Sequence, residues 1–224
     1  MREEGIQRLI GCEVDDNSPY FLVYRSLNPA LATAAAYGCG VLLDIGCGNK
    51  PYESLFSEVT KYIGCDMVQS SEHCVDIIAD AAQIPVSSKS VDTVFSTQVI
   101  EHVPEPARVI SEAFRLLKPG GYFILSGPMY WHLHEEPHDY FRFTKHGFKY
   151  LIEKSGFEVV EIIPNGGKWA ILGQVLIHTI QYSRLDRPFT VRALNRIFAA
   201  LDDRFFNDFN TTNYVVVARK VAEC

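Results

Sequence analysis

The sequence predicts an α/β protein built on a mostly parallel sheet, and three observations carry that reading. Val41-Leu42-Leu43 is a short apolar run, followed at once by Asp44, Gly46 and Gly48. Strand-like and helix-like segments then alternate from 41 to 125. Two further strand-like segments, 157–163 and 214–219, stand at the far end with a reversal between them. Short apolar runs suit strands covered on both faces. Alternation with helices argues for right-handed crossovers.

The elements follow in order. Ser18-Pro19 reads as an N-cap with proline at the first helical position. Asn28-Pro29 repeats the signal, so two short helices are expected, near 19–27 and 29–37. Strands are expected from 41 to Asp44, at 61–65, at 75–79 and from 91, where Asp92 starts the strand, too far from its carboxyl end to act, and reads as a surface residue. The clearest helix is 104–118, with Val109, Ile110, Ala113, Phe114 and Leu117 on one face. Lys118-Pro119-Gly120-Gly121 ends it. A helix over 144–155 takes Thr144 as its cap, turns Phe148, Leu151 and Ile152 inward, and stops at Gly156. The long connection 164–212 contains an apolar stretch, 169–182, and a helical pattern over 191–206 with basic Arg192 and Arg196. No repeat or low-complexity tract occurs.

Residues 41–49 carry the chemistry. Asp44 ends a strand, where ligands of open α/β sheets bind. Gly46 and Gly48 let backbone approach a ligand closely. A pyrophosphate is repelled by Asp44, whereas a ligand bearing an ammonium and a sulfonium is welcomed. Asp66 ends the next strand, 66 − 44 = 22 positions on, the place of a ribose-binding carboxylate. Asp80-Ala81 closes the third. Thr97, Gln98 and then Glu101-His102 follow the fourth, and Leu116-Leu-Lys-Pro-Gly-Gly-Tyr-Phe-Ile-Leu125 leads into the fifth.

In this order and spacing, residues 41–128 resemble the class I S-adenosylmethionine-dependent methyltransferases. The resemblance implies a Rossmann-like three-layer sandwich, its seven-stranded sheet mostly parallel with an antiparallel last strand. It implies S-adenosyl-L-methionine as cofactor. Asp44 then holds the ammonium, Gly46 and Gly48 give backbone approach, and Asp66 accepts from the ribose. Met67 lies on the adenine face, Asp80 and Ala81 meet its edge, and Thr97 and Gln98 line the methionine portion. Each has a plainer alternative: a turn Asp, an ordinary loop, a core methionine. The cap helices over 18–37 either cover the cofactor or pack on the sheet. One departure stands out, because a third glycine frequent in the family is replaced here by Lys50, followed by Pro51. The lack of a third glycine at Pro51, with Asp44, argues against a nicotinamide dehydrogenase.

The segment 127–143 follows the fifth strand and reaches the face where substrate enters. It holds His132, His134, Glu135, Glu136, His138 and Asp139 among aromatics. It reads as an acceptor-binding lid with His134 or His138 as base, Tyr140 and Arg142 on the substrate, and Arg142 as an anion clamp. The alternatives are a structural loop and metal chelation by His132, His134 and His138; no metal is assigned. His102 is a further base candidate, or a structural histidine.

Composition bounds the rest. A chain of 224 residues, 47% hydrophobic and 21% charged, is expected to be a single globular domain over 1–224 with the helical insertion at about 164–212. The net charge of −6 and the lack of a basic stripe disfavour nucleic acid. Cys12, Cys39, Cys47, Cys65, Cys74 and Cys224 form no CxxC pair and read as reduced thiols. The N-terminus does not read as a signal peptide and no run reaches the roughly 18 apolar residues of a span, so a cytoplasmic location is expected. The apolar 169–182 is read as a buried helix or homodimer face, a pocket wall, or a membrane-surface contact. The expected activity is methyl transfer to a small-molecule acceptor such as a sugar hydroxyl or lipid-linked oxygen. The alternative is a non-catalytic cofactor-binding or scaffolding module.

Overall fold

The structure is a computed structural model that describes residues 13–181 and 183–221; Cys12, Cys224 and Tyr182 lie outside them. A seven-stranded sheet has the order β3-β2-β1-β4-β5-β7-β6. Its strands are β1 Gly40–Ile45, β2 Val59–Asp66, β3 Ile77–Ile78, β4 Val91–Thr97, β5 Leu117–Pro128, β6 Phe157–Asn165 and β7 Asn213–Lys220. β1 pairs in parallel with β2 and β4, and β4 with β5. β7 runs antiparallel to both β5 and β6. The expected α/β class and antiparallel last strand are therefore present.

Successive strand residues point to opposite faces, and both faces here are apolar. Leu43, Val94, Phe123, Val216 and Ala218 pack with α2 (Pro106–Leu116) and α3 (Lys145–Lys154). Leu42, Phe95, Ile124, Val215 and Val217 pack with α1 (Phe21–Ala35). A sheet covered on both sides explains strands that read as continuous hydrophobic runs. Between β6 and β7 lie α4 (Lys168–Ile180) and α5 (Pro188–Phe205), which share a third cluster with Leu22 of α1. Asp202 of α5 accepts from the amides of Gly167, Trp169 and Ala170, so it caps the N-terminus of α4. Arg192 and Arg196 pair with Asp16, which ties the entry of the described chain to α5.

Four expectations are corrected. The two N-terminal helices are one helix, α1, with Pro29 inside it. Burial of Leu22, Leu27, Leu31 and Ala34 along one stripe outweighs the amide that proline removes. Strand–helix alternation is thinner than expected: between β1 and β2 stands only a 3₁₀ turn, Glu53–Leu55. Tyr52 and Phe56 flank it and pack on Phe95 beside Leu27 and Leu31, so α1 covers the place of the missing helix. The helix at 104–118 ends at Leu116, and Lys118-Pro119-Gly120-Gly121 belongs to β5. Lys118 precedes proline, which favours extended backbone there. Asp92, read as a surface residue, accepts from the Val41 amide and pairs with Lys118, clamping the start of β1.

Thr144 caps α3 as expected, accepting from Gly147 N. Cys47 and Cys65 are buried free thiols. In α4 the inner face, including Ala170, Gln174 and Ile177, is buried, and Leu172, Val175 and Leu176 are exposed. Among the described residues no helix is long and apolar enough to cross a membrane.

Candidate functional site

The carboxyl ends of β1, β2 and β4 open into one cavity of about 680 Å³. That volume is in the range of sites for cofactor-sized ligands. Asp44, Gly46 and Gly48 line it from β1, and Asp66 and Met67 from β2. Asp80 and Ala81 line it after β3, and Thr97 and Gln98 from the end of β4. All nine residues expected at the cofactor thus share a single cavity, as the parallel arrangement of β1, β2 and β4 requires.

Asp44 is buried, at 2% exposure. Burial pushes its carboxyl up to about 7; the hydrogen bond from Tyr62 opposes this and the Asp66 charge adds to it. Gly46 has φ +76, and a Cβ there would stand 2.2 Å from Val99, so only glycine fits this turn. Asp66 accepts from the amides of Gly48 at 3.1 Å and Met67 at 2.8 Å, buckling the glycine turn to β2. Carboxylate oxygens have further lone pairs, so ribose hydroxyls remain compatible with these bonds. Lys50, where the family's third glycine is expected, has φ +54. The backbone thus keeps a glycine-like conformation, and the side chain pairs with Asp76 at 2.6 Å. Gln98 also has positive φ, at 54°. Its side-chain Nε2 donates to Ser126 Oγ, which also bonds Thr97 Oγ1 at 2.6 Å.

Beyond the carboxylates, the cavity is lined by His102, Glu135, His138, Tyr140 and Tyr24. His102 sits in a 3₁₀ turn, Ile100–His102, and is 7% exposed. Its Nδ1 lies 2.9 Å from the His138 carbonyl oxygen. A carbonyl only accepts, so Nδ1 carries the proton and Nε2 the lone pair. His138 Nδ1 lies 3.3 Å from the Tyr140 hydroxyl. Tyr140 and Phe141 donate their amides to the Glu101 carbonyl, fastening segment 138–141 to the end of β4.

Two residues expected at the acceptor stand elsewhere. Arg142 does not line the cavity. Its guanidinium grips Asp139 through both oxygens, at 2.6 and 2.7 Å, and donates to the Trp131 and His132 carbonyls. This replaces the expected anion clamp with a brace inside the loop. The Arg142 hydrogen bonds hold the Asp139 carboxyl far below the usual carboxylate range. His134 also stands behind the cavity wall. Its Nδ1 is 3.2 Å from Asp139, and its ring packs on His102 with centroids 4.7 Å apart. Burial lowers its pKa, and so does neighbouring His102.

Sequence reading missed Tyr24, Glu135 and Glu101. Tyr24 comes from α1, far from the motifs, and no local signal marks it. Glu101 had a signal, its place beside His102 at the end of β4. It is 1% exposed, its Oε2 has no hydrogen-bond partner, and burial pushes its carboxyl to about 8.

Residues 43–125 match a family model described as a methyltransferase domain. A probable S-adenosylmethionine-dependent methyltransferase of Mycolicibacterium smegmatis is 38% identical over 96 residues, 39% of this chain and 37% of the relative. An uncharacterized methyltransferase of Mycobacterium leprae is 30% identical over 97 residues, 38% of this chain and 36% of the relative. The chain thus spans little more than a third of the length of these curated relatives. Among solved structures, an S-adenosylmethionine-dependent methyltransferase from Archaeoglobus fulgidus aligns with TM-score 0.57 at 19% identity, covering 91% of this chain and 95% of that one. The cyclase SpnF aligns with TM-score 0.61 at 19% identity, covering 94% and 86%. Both show the methyltransferase fold, which by itself does not fix the chemistry.

The donor set fits S-adenosylmethionine. A buried carboxylate, Asp44, and a second, Asp66, stand along one wall, suited to an ammonium and to ribose hydroxyls. The glycine turn runs between them.

Proposed function

We propose that this chain transfers a methyl group from S-adenosylmethionine to an oxygen of a small-molecule acceptor. One observation carries the reading. The nine residues expected at the cofactor share a cavity with a compact group of proton acceptors: His102, Glu135 and His138, with Tyr140 beside them.

When bound, the cofactor supplies an electrophilic methyl on a sulfonium, already activated for in-line displacement. The protein's task is then alignment and proton management. Asp44 holds the ammonium, and Asp66 orients the ribose. Thr97 and Gln98, fixed through Ser126, set the floor between cofactor and acceptor. Tyr24 and Tyr140 close the sides and exclude water. An acceptor hydroxyl placed among His102, Glu135 and His138 has a basic group at hand, and His138 is the residue we assign to take its proton. Hydroxyl acceptors need such a base, because their own pKa lies far above neutrality. The coarse class of acceptor, a small molecule, is supported by the size of the cavity; a sugar hydroxyl or lipid-linked oxygen is the finer expectation.

Calorimetry with S-adenosylmethionine, and NAD as the control, tests the donor. Micromolar binding of the first alone supports the reading, and absence of binding sinks it. A panel of small hydroxyl compounds, scored by S-adenosylhomocysteine release, then tests transfer. His138→Ala is expected to lower turnover and leave cofactor affinity intact. Unchanged turnover removes His138 from the role. Cofactor binding with no turnover across the panel would favour the scaffolding alternative.

A further inference from the structure

Glu101, His102 and His134 each offer a ligand atom, and the three atoms lie within 4.8 Å of one another. From this geometry we propose a binding site for a divalent transition-metal cation at the back of the cavity, formed by the Glu101 carboxylate and the Nε2 atoms of His102 and His134. This grouping differs from the three histidines of segment 127–143, since it takes one residue from that segment and two from the end of β4.

Four observations support it. First, Glu101 is 1% exposed and its Oε2 has no hydrogen-bond partner. A buried carboxylate oxygen in that state calls for an explanation, and an absent cation is one. Second, Glu101 Oε1 stands 3.8 Å from His102 Nε2. That is too far for a hydrogen bond, yet donors sharing a cation at about 2.1 Å stand roughly 3–4 Å apart. Third, both rings are oriented as metal-binding histidines are. His102 Nδ1 donates to the His138 carbonyl and His134 Nδ1 to Asp139, so in each ring the lone pair is on Nε2. Asp139 is itself held by Arg142. Fourth, Glu135 Oε2 is also 3.8 Å from His102 Nε2, on the cavity side. It stands ready as a fourth ligand or leaves that position open toward the acceptor.

Two imidazoles and one carboxylate suit Zn²⁺, Fe²⁺, Co²⁺, Ni²⁺ or Mn²⁺ better than Ca²⁺ or Mg²⁺. With the cation in place His102 is a ligand, and His138 keeps the proton-accepting role assigned to it above. The site does not depend on the methyltransferase reading, and its test does not use activity.

The test starts from chelator-stripped protein titrated with Co²⁺. One equivalent should bind with visible d–d absorption, displaced by Zn²⁺. The Co²⁺ form should show hyperfine-shifted, exchangeable proton signals from two imidazoles, the Nδ1 protons of His102 and His134. Glu101→Gln and His134→Ala should each weaken binding at least about tenfold, in proteins whose circular dichroism matches the parent. Absence of saturable binding in the parent overturns the proposal, whatever the variants do. So does a spectrum with fewer than two shifted imidazoles, or parental affinity in both folded variants.

Discussion

The Tyr62 hydroxyl donates to Asp44 Oδ2 at 2.7 Å. The register makes this contact available, because Tyr62 pairs with Leu42 across β1 and β2, two residues from Asp44 on the same face. The tyrosine is mostly buried, and burial with the adjacent Asp44 charge raises its pKa far above normal, so it remains a donor. Tyr62→Phe removes the hydrogen bond that lowers the Asp44 pKa and leaves the Lys50 charge as the opposing influence on burial. Cofactor affinity at neutral pH is expected to fall about three- to tenfold, equivalent to about one hydrogen bond. Calorimetry on the two proteins checks this.

Asp44 itself sets a pH dependence. Its carboxyl titrates at about 7, raised by burial, and an ammonium binds only the ionised form. S-adenosylmethionine should bind about tenfold more weakly near pH 6 than near pH 8, with a proton released on binding. The slope should vanish in Asp44→Asn. A flat profile in the parent contradicts the assignment.

The same shift has a cost in stability. A carboxyl raised above its unfolded value of 3.8 favours the folded state fully only at pH below that value. That contribution is lost as pH climbs toward 7. Asp44→Asn removes the buried charge and keeps an acceptor for Tyr62. At about pH 8 the variant should be about 1–3 kcal/mol more stable than the parent while binding the cofactor more weakly. Urea unfolding at two pH values reads the difference.

Lys50 offers a test of backbone against side chain. Its φ of +54 is unfavourable for a side chain, and its ion pair with Asp76 offsets that. Lys50→Gly should be near neutral in stability, because relief of the strained φ balances the lost pair. Lys50→Ala should lose about 1 kcal/mol, keeping the strain without the partner. Equal melting of the two variants would contradict this.

Arg142 is a brace, so its loss should act on order in the loop. Arg142→Ala leaves the Asp139 side chain, 1% exposed, without its bidentate partner. Stability should drop by about 1–3 kcal/mol, with faster amide exchange across 131–142. An anion clamp would instead leave exchange unchanged and alter only the acceptor's KM.

Residues 41–98 are legible in the sequence because each motif there sits at a strand end. The strand order then carries Asp44, Asp66, Asp80 and Thr97 to one edge without help from distant contacts. Helix α1 was harder, since Pro29 is a local breaker and only packing against the sheet, set by residues far along the chain, keeps the helix whole. The places of Arg142 and His134 are not legible in sequence for a related reason. Both lie on the loop expected to face substrate, but nothing in sequence says which way a loop side chain points. Asp139, three residues before Arg142, determined it. The burial of Glu101 is equally illegible, because nothing in a carboxylate beside a histidine marks it as buried.

The placement of β7 between β5 and β6 matters for how the molecule is made. During vectorial synthesis β5 and β6 emerge with facing, unpaired edges, and the strand that joins them, Asn213–Lys220, comes latest of the seven. Until it arrives, two rows of open amides and carbonyls stand exposed. For that interval the nascent chain is open to mispairing with its neighbours, and holding chaperones would act there.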